Sequence, residues 1–476
     1  MAVKTLNIEL NKIRQEPFNR LDVKYYLVNH FFDKLATQHN FKVESLNNLK
    51  ENIISGSYID SYTTKEEGIP YLRVGDIKPF CFDENEDDLA YVSKSVPEKN
   101  KIKTNDIIVA RTQATIDKLG TASVADKAIE GWATSQHTTR VIVNPKKISP
   151  FYIVAYLNSK FFKAQAALAS HGDTRVEMTH SQLSQVRIFI PQNKLLENIV
   201  EKVKKIVTYN REAQELIESA KAEFLNIVKL KTKVTKEKSF SGDLKTLTEF
   251  DIWNPTCHLP FYVENERKLK QSFKTLLLGQ VADIIKGSEA GSDNYEIYLW
   301  RKETDYAFIR TSDIINNEID LFPDYFIPAE IVSLFNQDLR AGDILFTKDG
   351  KIGQTAMVTE NDKAFIASGV SRIRIKSEIV KQHRFTQEYL FICLSVKQTG
   401  YYPAIRRTVI GTTIPHLREE RMKQISIPIL KEEQIKSITK KTKKAFKLKS
   451  ERKKLINEVL KEIDSEYEKF SRLHSK

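Results

Sequence analysis

Tyr71-Leu72-Arg73-Val74-Gly75-Asp76-Ile77 is answered 237 residues later by Phe308-Ile309-Arg310-Thr311-Ser312-Asp313-Ile314. The same offset joins Asn105-Asp106-Ile107-Ile108-Val109-Ala110-Arg111 to Gly342-Asp343-Ile344-Leu345-Phe346-Thr347-Lys348, and Ile188-Phe189-Ile190-Pro191 to Ile425-Ser426-Ile427-Pro428. Thr139-Arg140-Val141-Ile142-Val143 pairs with Ser371-Arg372-Ile373-Arg374-Ile375 at a slightly shorter offset, so loops differ while the frame holds. Solenoid repeats run to roughly 20–50 residues, so this period marks a duplicated domain. Two copies of one fold on one chain suggest two similar tasks performed side by side.

At 476 residues the chain exceeds a single core, and two or three domains are expected. A hydrophobic content of 41% excludes wholesale disorder. The net charge of +13 favours a polyanionic partner, nucleic acid first, although basic chains are also often simply well solvated. Cys81, Cys257 and Cys393 are far apart and form no Cys-x-x-Cys pair, so neither a zinc site nor a disulfide framework is legible. The first ten residues lack the apolar stretch of a signal peptide, and runs such as Leu390 to Leu394 are too short to span a bilayer. These features predict a cytoplasmic protein with no membrane partner.

Each copy passes from its Ile-x-Ile-Pro strand into a long charged helix. After Pro191, Leu196, Ile199, Val203, Ile206, Asn210, Ala213, Ile217, Ala220, Phe224 and Ile227 recur at alternating steps of 3 and 4, the spacing of a coiled-coil seam. After Pro428 the second seam reads Ile435, Ile438, Thr442, Ala445, Ile456, Val459, Ile463 and Phe470, with Lys449 and Arg452 on it, where weaker pairing is expected. Neither helix buries its stripe alone. A pseudo-twofold axis between the copies makes the two helices an antiparallel coiled coil; the other arrangement docks each helix on its own globular half. The second helix is dense in Lys and Arg from Lys436 to Lys454, which reads as a solvated face, with phosphate contact or an acidic partner as the alternatives.

Short β-branched and aromatic runs at Ile107 to Ala110, Arg140 to Val143, Ile344 to Thr347 and Arg372 to Ile375 read as strands, and Phe151 to Leu168 and Gln387 to Ser395 as helices. The fold class is α+β, with two similar domains separated by two long helices. The expected division is a lead-in and first domain over 1–191, a central helix over 192–237, a second domain over 238–428 and a distal helix over 429–476.

The order of these elements, given twice, resembles the specificity (S) subunit of type I restriction-modification enzymes. Lys348-Asp349-Gly350-Lys351-Ile352-Gly353 is similar to that family's turn after its Asp-Ile-Leu strand, and Glu432-Glu433-Gln434-Ile435 to the start of its helix after Ile-Pro. Arg20-Leu21-Asp22-Val23-Lys24-Tyr25-Tyr26 and Phe250-Asp251-Ile252-Trp253 resemble its lead-in segments. The first copy departs at Gln113 and Asp117, where the family has glycines, and at Lys194-Leu195-Leu196-Glu197, so its turn geometry is expected to differ.

The resemblance implies a noncatalytic protein whose two target-recognition domains each read half of a split double-stranded DNA site. The helices would set the gap between the halves. DNA adenine methyltransferase (M) subunits and restriction/translocase (R) subunits would be the partners, carrying the S-adenosylmethionine, ATP and Mg²⁺, with no cofactor on this chain. Rigid spacing of two reading heads selects half-sites at one separation and helical phase. Because the copies differ in sequence, the target should be asymmetric. A specificity subunit of a type II or stand-alone methyltransferase system, and a coiled-coil scaffold without DNA affinity, are the competing readings.

Base reading needs Arg, Lys, Asn, Gln or Thr at groove edges. The candidates in the first copy are Arg111, Thr112, Gln113 and Lys118 in the turn, and Arg175 after His171-Gly172-Asp173-Thr174. In the second they are Lys348 and Lys351 around a Gly turn, Arg372, and Arg406 and Arg407 in the polar loop Gly400 to Gly411. Solvated hairpin lysines are the plain alternative for the Gly turn. Arg73 and Arg310 stand before Asp76 and Asp313 in both copies and read as internal ion pairs. His180 and His416 hold equivalent places and read as structural.

Enzyme signatures are incomplete. Asn254-Pro255-Thr256-Cys257 lacks the second proline and the aromatic of an amino-methyltransferase motif, and there is no Gly-x4-Gly-Lys-Ser/Thr loop. Asp83-Glu84-Asn85-Glu86-Asp87 continues with Asp88 and Lys94 where a calcium loop needs Gly and Glu, so it reads as an acidic surface loop. Asp349-Gly350-Lys351 has no preceding partner acid of a nuclease.

Overall fold

The repeated Arg-x-x-Asp stretch is a strand end that turns on its own aspartate. Arg73 ends the strand Gly68–Leu72, and its backbone N–H donates to Asp76 Oδ2 at 2.7 Å while its guanidinium reaches the same carboxylate at 3.3 and 3.4 Å. Arg310 ends the strand Tyr306–Ile309 and repeats these bonds to Asp313 at 2.8, 3.1 and 3.4 Å. The turn is closed by one residue pair, which explains why both members recur.

These details come from a computed structural model that describes residues 26, 30, 32, 33, 42–86, 88–170, 175–232, 239–241, 244, 248, 254–289, 305–335, 337–410 and 414–473. The lead-in residues 20–25 and 250–253, the loop 171–174 and the middle of the link between the copies, 233–238, lie outside them. The chain divides into two compact units, residues 1–208 with 454–476 and residues 209–453. These boundaries cut through both long helices, so each unit holds a stretch of each.

The first unit has a four-stranded antiparallel sheet in the order Lys50–Ser55, Thr138–Val143, Ile107–Ala110, Ala122–Val124. A second sheet places Gly68–Leu72 between Ala133–Thr134, parallel to it, and Ala90–Ser93, antiparallel to it. In the second unit the four-stranded sheet runs Ala282–Lys286, Val370–Ile375, Ile344–Thr347, Thr355–Met357. There Tyr306–Ile309 lies between Ala364–Ile366, parallel, and Phe326–Ile327, antiparallel. Strand order and direction agree sheet for sheet. Each Ile-x-Ile-Pro strand also closes a two-stranded ribbon, Arg187–Ile190 with Lys42–Ser45 and Ser426–Pro428 with Thr275–Leu277.

Ile344–Thr347 is buried throughout because the sheet is covered on both faces. Ile344 and Phe346 join a core with the helix Gln387–Ser395 and the long helices, whereas Leu345 points to a second core with Ile309, Ile314 and Ile319. Asn105 and Gly342 precede the matching strands with φ of 71° and 92°, a left-handed turn that glycine or asparagine adopts at least cost. The predicted helix from Phe151 to Leu168 is two helices, Pro150–Leu157 and Lys160–Ala169. The break falls at Asn158, whose amide donates to the Ala122 and Val154 carbonyls at 2.8 and 2.9 Å, and at Ser159, which caps the second helix.

The long helices are Asn193–Val228 and Glu432–Leu473. Ile199, Val203, Ile206, Asn210, Ala213, Ile217, Ala220 and Phe224 are buried, Leu196 is partly buried, and the seam continues on Val228 rather than Ile227. Ile435, Ile438, Ile456, Val459 and Ile463 are buried on the other helix. Within the first unit Lys202 donates to Glu458 at 3.0 Å and to Glu462 at 2.5 Å, and Asn198 donates to Glu462 at 3.0 Å. Within the second, Arg452 donates to Asn210 at 2.8 Å, Lys441 to Ser219 at 3.0 Å and Ser437 to Glu223 at 3.1 Å. In each unit one helix number rises as the other falls, so the paired stretches run antiparallel. Among the described residues no helix is long and apolar enough to cross a membrane.

Candidate nucleic-acid interface

In the second unit the strand Ile344–Thr347 runs into the turn Lys348-Asp349-Gly350-Lys351-Ile352-Gly353, which lies against the return segment Pro415-His416-Leu417. The backbone joins them: Leu417 N–H donates to Lys348 O at 2.8 Å and Gly350 N–H to Pro415 O at 3.1 Å. His416 Nδ1 lies 2.9 Å from Asp349 Oδ1, and Lys348 Nζ stands 3.2 Å from Asp349 and 3.6 Å from Glu419. Lys348 is therefore a buried hub of the turn, while Lys351 is exposed. Gly353 has a φ of 88°, and a Cβ there would meet Tyr401 Cδ2 at 2.8 Å, so glycine is needed twice over.

The first unit makes the same crossing with other side chains. Met178 N–H donates to Arg111 O at 3.1 Å, and Val176 and Glu177 pair with Gln113 and Thr112. Arg111 binds the Glu177 carboxylate and donates to the Gln136 carbonyl at 3.0 Å. Thr112 is buried, Gln113 and Lys118 are partly exposed, and Arg175 is exposed beside the Val176–Gln113 pair. The turn is longer than its counterpart: Gly120 N–H returns to Ala110 O, ten residues back, whereas Gly353 N–H returns to Thr347 O, six back.

The backbone bonds also correct one pairing of residues. Met178 matches Leu417, so His416 takes the place of Glu177, and His180 matches Glu419 instead of His416. His180 is structural: Thr139 Oγ1 is 2.9 Å from its ring and Ser55 Oγ 3.3 Å. Burial, reinforced by the charge of Arg111, lowers its pKa.

Three expected contacts belong to the interior. Residues 401–406 are a helix, not an open polar loop, and Arg406 and Arg407 are only 2% and 1% exposed. Arg406 donates to Glu266 at 2.7 Å, and Arg407 donates to it at 2.6 and 3.1 Å. Burial opposes the charge on Glu266, but Arg407, Lys270 and Arg406 outweigh it and hold the carboxyl down at about 2. Arg372 is buried against Asp338, while Arg374 binds Asp343 at 2.6 and 2.7 Å. The first unit solves the same position differently, with Arg140 on Asp106 at 2.6 and 2.9 Å. Arg406 and Arg407 thus satisfy the buried carboxylate of Glu266, whereas Asp338, the partner of the buried Arg372, is itself exposed.

Among solved structures the chain is similar to the type I restriction-modification system S subunit from M. genitalium, at 13% identity, 89% of this chain, 96% of that one and a TM-score of 0.37. It is also similar to the HsdS subunit from Thermoanaerobacter tengcongensis, at 16% identity, 89% and 96% coverage and a TM-score of 0.28. No curated protein matches it. Residues 271–463 match the model of the type I restriction modification DNA specificity domain. That segment resembles a type I specificity domain.

The matched segment holds the Gly turn, the buried Arg372 and the Arg406–Arg407 pair. It also holds a cluster that sequence reasoning passed over. Lys449 and Arg452, read as a weak step in the seam, are buried with Lys453 on Glu318, a residue 2% exposed in the hairpin after Asp313. Part of the basic run is thus an interior surface and not a solvated face; Lys440, Lys443, Lys444 and Lys447 do remain at least partly exposed. The available signal was the spacing of 449, 452 and 453, which puts three cations on one helical face in line with the seam. Among the described residues no group of three or more His, Cys, Asp or Glu could hold a metal ion.

Proposed function

We propose that the chain is the DNA sequence-specificity subunit of a type I restriction-modification complex. On this reading the chain is a duplication of one recognition domain, each copy reads one half of an asymmetric bipartite site, and the two helices act as an antiparallel coiled-coil spacer. It has no chemistry of its own. Methyltransferase subunits bring S-adenosylmethionine to the adenines, and translocase/nuclease subunits bring ATP and Mg²⁺.

The observation that carries this reading is the specificity-domain match over residues 271–463, joined to a first unit with the same strand order. Support also comes from the net charge of +13. The candidates for DNA contact are the exposed Arg175 and the partly exposed Gln113 and Lys118 in the first copy, and the exposed Lys351 in the second. Arg111 and Lys348 stand behind them and orient the turns.

Modified-base sequencing of the host genome with and without the gene tests the proposal. The expected result is loss of adenine methylation at one split, asymmetric motif. An unchanged methylome in cells that express the partner methyltransferase would overturn it.

A further inference from the structure

The second unit anchors one long helix through buried charge where apolar contact would suffice. The hairpin Ile314–Ile315 to Glu318–Ile319 turns at Asn316 and Asn317, with φ of 47° and 63°. Glu318 Oε1 accepts from Arg452 Nη2 at 2.6 Å and from Lys449 Nζ at 3.3 Å. Lys449 also donates to the Asn316 carbonyl at 3.0 Å, and Lys453 donates to the Ile319 carbonyl at 3.0 Å and to Asp362 at 2.5 Å. The second guanidinium nitrogen of Arg452 donates to Asn210 on the facing helix, whose Lys221 reaches Asn317 at 3.1 Å. One hairpin is thereby gripped by both helices.

Such a cluster is sensitive to helix phase in a way that the Ile and Ala seam is not. A slip of one heptad returns the apolar stripe to an equivalent pattern but moves the helix about 10 Å, which withdraws all three cations from Glu318. A buried carboxylate without partners is strongly unfavourable, whereas the apolar stripe regains equivalent neighbours after a slip of one heptad. Buried polar groups in helical seams are best attested as register devices of this kind. The hairpin itself does not require the acid. The matching hairpin of the first unit pairs Lys78 with Cys81 where the second pairs Ile315 with Glu318, and Cys81 is a buried thiol.

We infer that Glu318 is a positioning residue that fixes the axial and rotational setting of the helix Glu432–Leu473 on the second recognition domain, and through it the gap accepted between half-sites. The inference rests on the proposed function and adds the device that holds the spacer in phase. Lys449, Arg452 and Asn210 are its counterparts on the helices.

The test compares wild type, Glu318→Gln, and a quadruple variant with apolar replacements of similar volume, Glu318→Leu, Lys449→Met, Arg452→Leu and Asn210→Leu, which leaves the Lys453–Asp362 pair in place. Each full-length chain is expressed in the host with its methyltransferase, its folding is checked by thermal melting, and the methylome is sequenced. In the folded variants both half-sites stay the same, while methylation of sites with a different number of base pairs between them rises at least about tenfold over wild type, or about 1.4 kcal/mol of lost discrimination. A folded quadruple variant that keeps a single spacing overturns the inference. So does a changed half-site, which would place Glu318 in base recognition, and so does failure of the quadruple variant to fold, because a device that only sets register is replaceable by apolar packing. A wild-type methylome without a split motif overturns the proposed function, and this inference with it.

Discussion

Arg452 donates to the Asn210 side-chain oxygen at 2.8 Å, so the polar step in one helical seam is answered by a cation in the other. Both residues are buried, and neither side chain has water to turn to. Asn210→Ala should destabilise the chain by about 1–3 kcal/mol, the cost of leaving a buried charged donor short of an acceptor. Urea unfolding of wild type and variant measures it. A change below about 0.5 kcal/mol would show that the other partners of Arg452 satisfy the guanidinium.

Acid should unfold the second unit through two carboxylates. Neighbouring cations overcome burial and lower Glu318 and Glu266 from the ordinary 4.5 to about 2. Between those values the unfolded chain binds more protons than the folded one, so stability rises with pH. The contribution is fully present above about pH 4.5 and is lost as pH falls through about 2. Urea midpoints from pH 7 downward should drop below pH 4.5, and Glu318→Gln with Glu266→Gln should flatten that drop. An unaltered slope in the double variant would assign acid sensitivity to other groups.

Arginines and lysines here should separate into two kinds by a single pair of assays. Arg407→Ala leaves Glu266 buried with its main partner gone and should cost about 3–5 kcal/mol. Lys351→Ala and Arg175→Ala should change unfolding by less than about 0.5 kcal/mol. Either should instead weaken DNA binding and reduce the slope of log affinity against log salt by about one if it contacts phosphate. Binding and salt slope equal to wild type would remove that residue from the interface.

Two glycines in one turn should respond unequally. Gly350 has a φ of 66°, and a methyl group added there would find its nearest neighbour, Ile414 Cγ2, 3.8 Å away. Gly350→Ala therefore carries only the left-handed backbone cost of about 1–2 kcal/mol. Gly353→Ala adds a clash with Tyr401 and should cost more. Thermal melts of the two variants decide the order, and equal losses would mean that the tyrosine swings away.

Adding one heptad to the seam between Leu196 and Ile227 should lengthen that helix by about 10 Å. The expected methylome shows both half-sites intact at a new separation. A new half-site at the old separation would refute a spacer role for the helices.

The strands and seams were legible in the sequence because each has a period that local chemistry enforces. Ile107–Ala110, Ile344–Thr347 and Gln387–Ser395 begin and end where the residue pattern places them. The Arg73–Asp76 and Arg310–Asp313 pairs were legible for a different reason, since their partners are three residues apart. What was hidden lies at long separation. Nothing near Arg407 announces Glu266, and nothing near Lys449 announces Glu318, because each pair forms only when distant segments pack. The mismatch of His416 with His180 has a similar origin: a shorter turn and a longer return loop shifted the numbering between the copies while the backbone crossing stayed in register.

That crossing is held in both units by peptide groups, Met178 to Arg111 and Leu417 to Lys348. A joint made of main chain can carry different side chains in the two units. Thr112 and Glu177 occupy it in one copy, Asp349 and His416 in the other. Mutation can therefore exchange the side chains on it, as Arg111 with Glu177 in one unit and Asp349 with His416 in the other illustrate, without the chain having to invent a new way of folding.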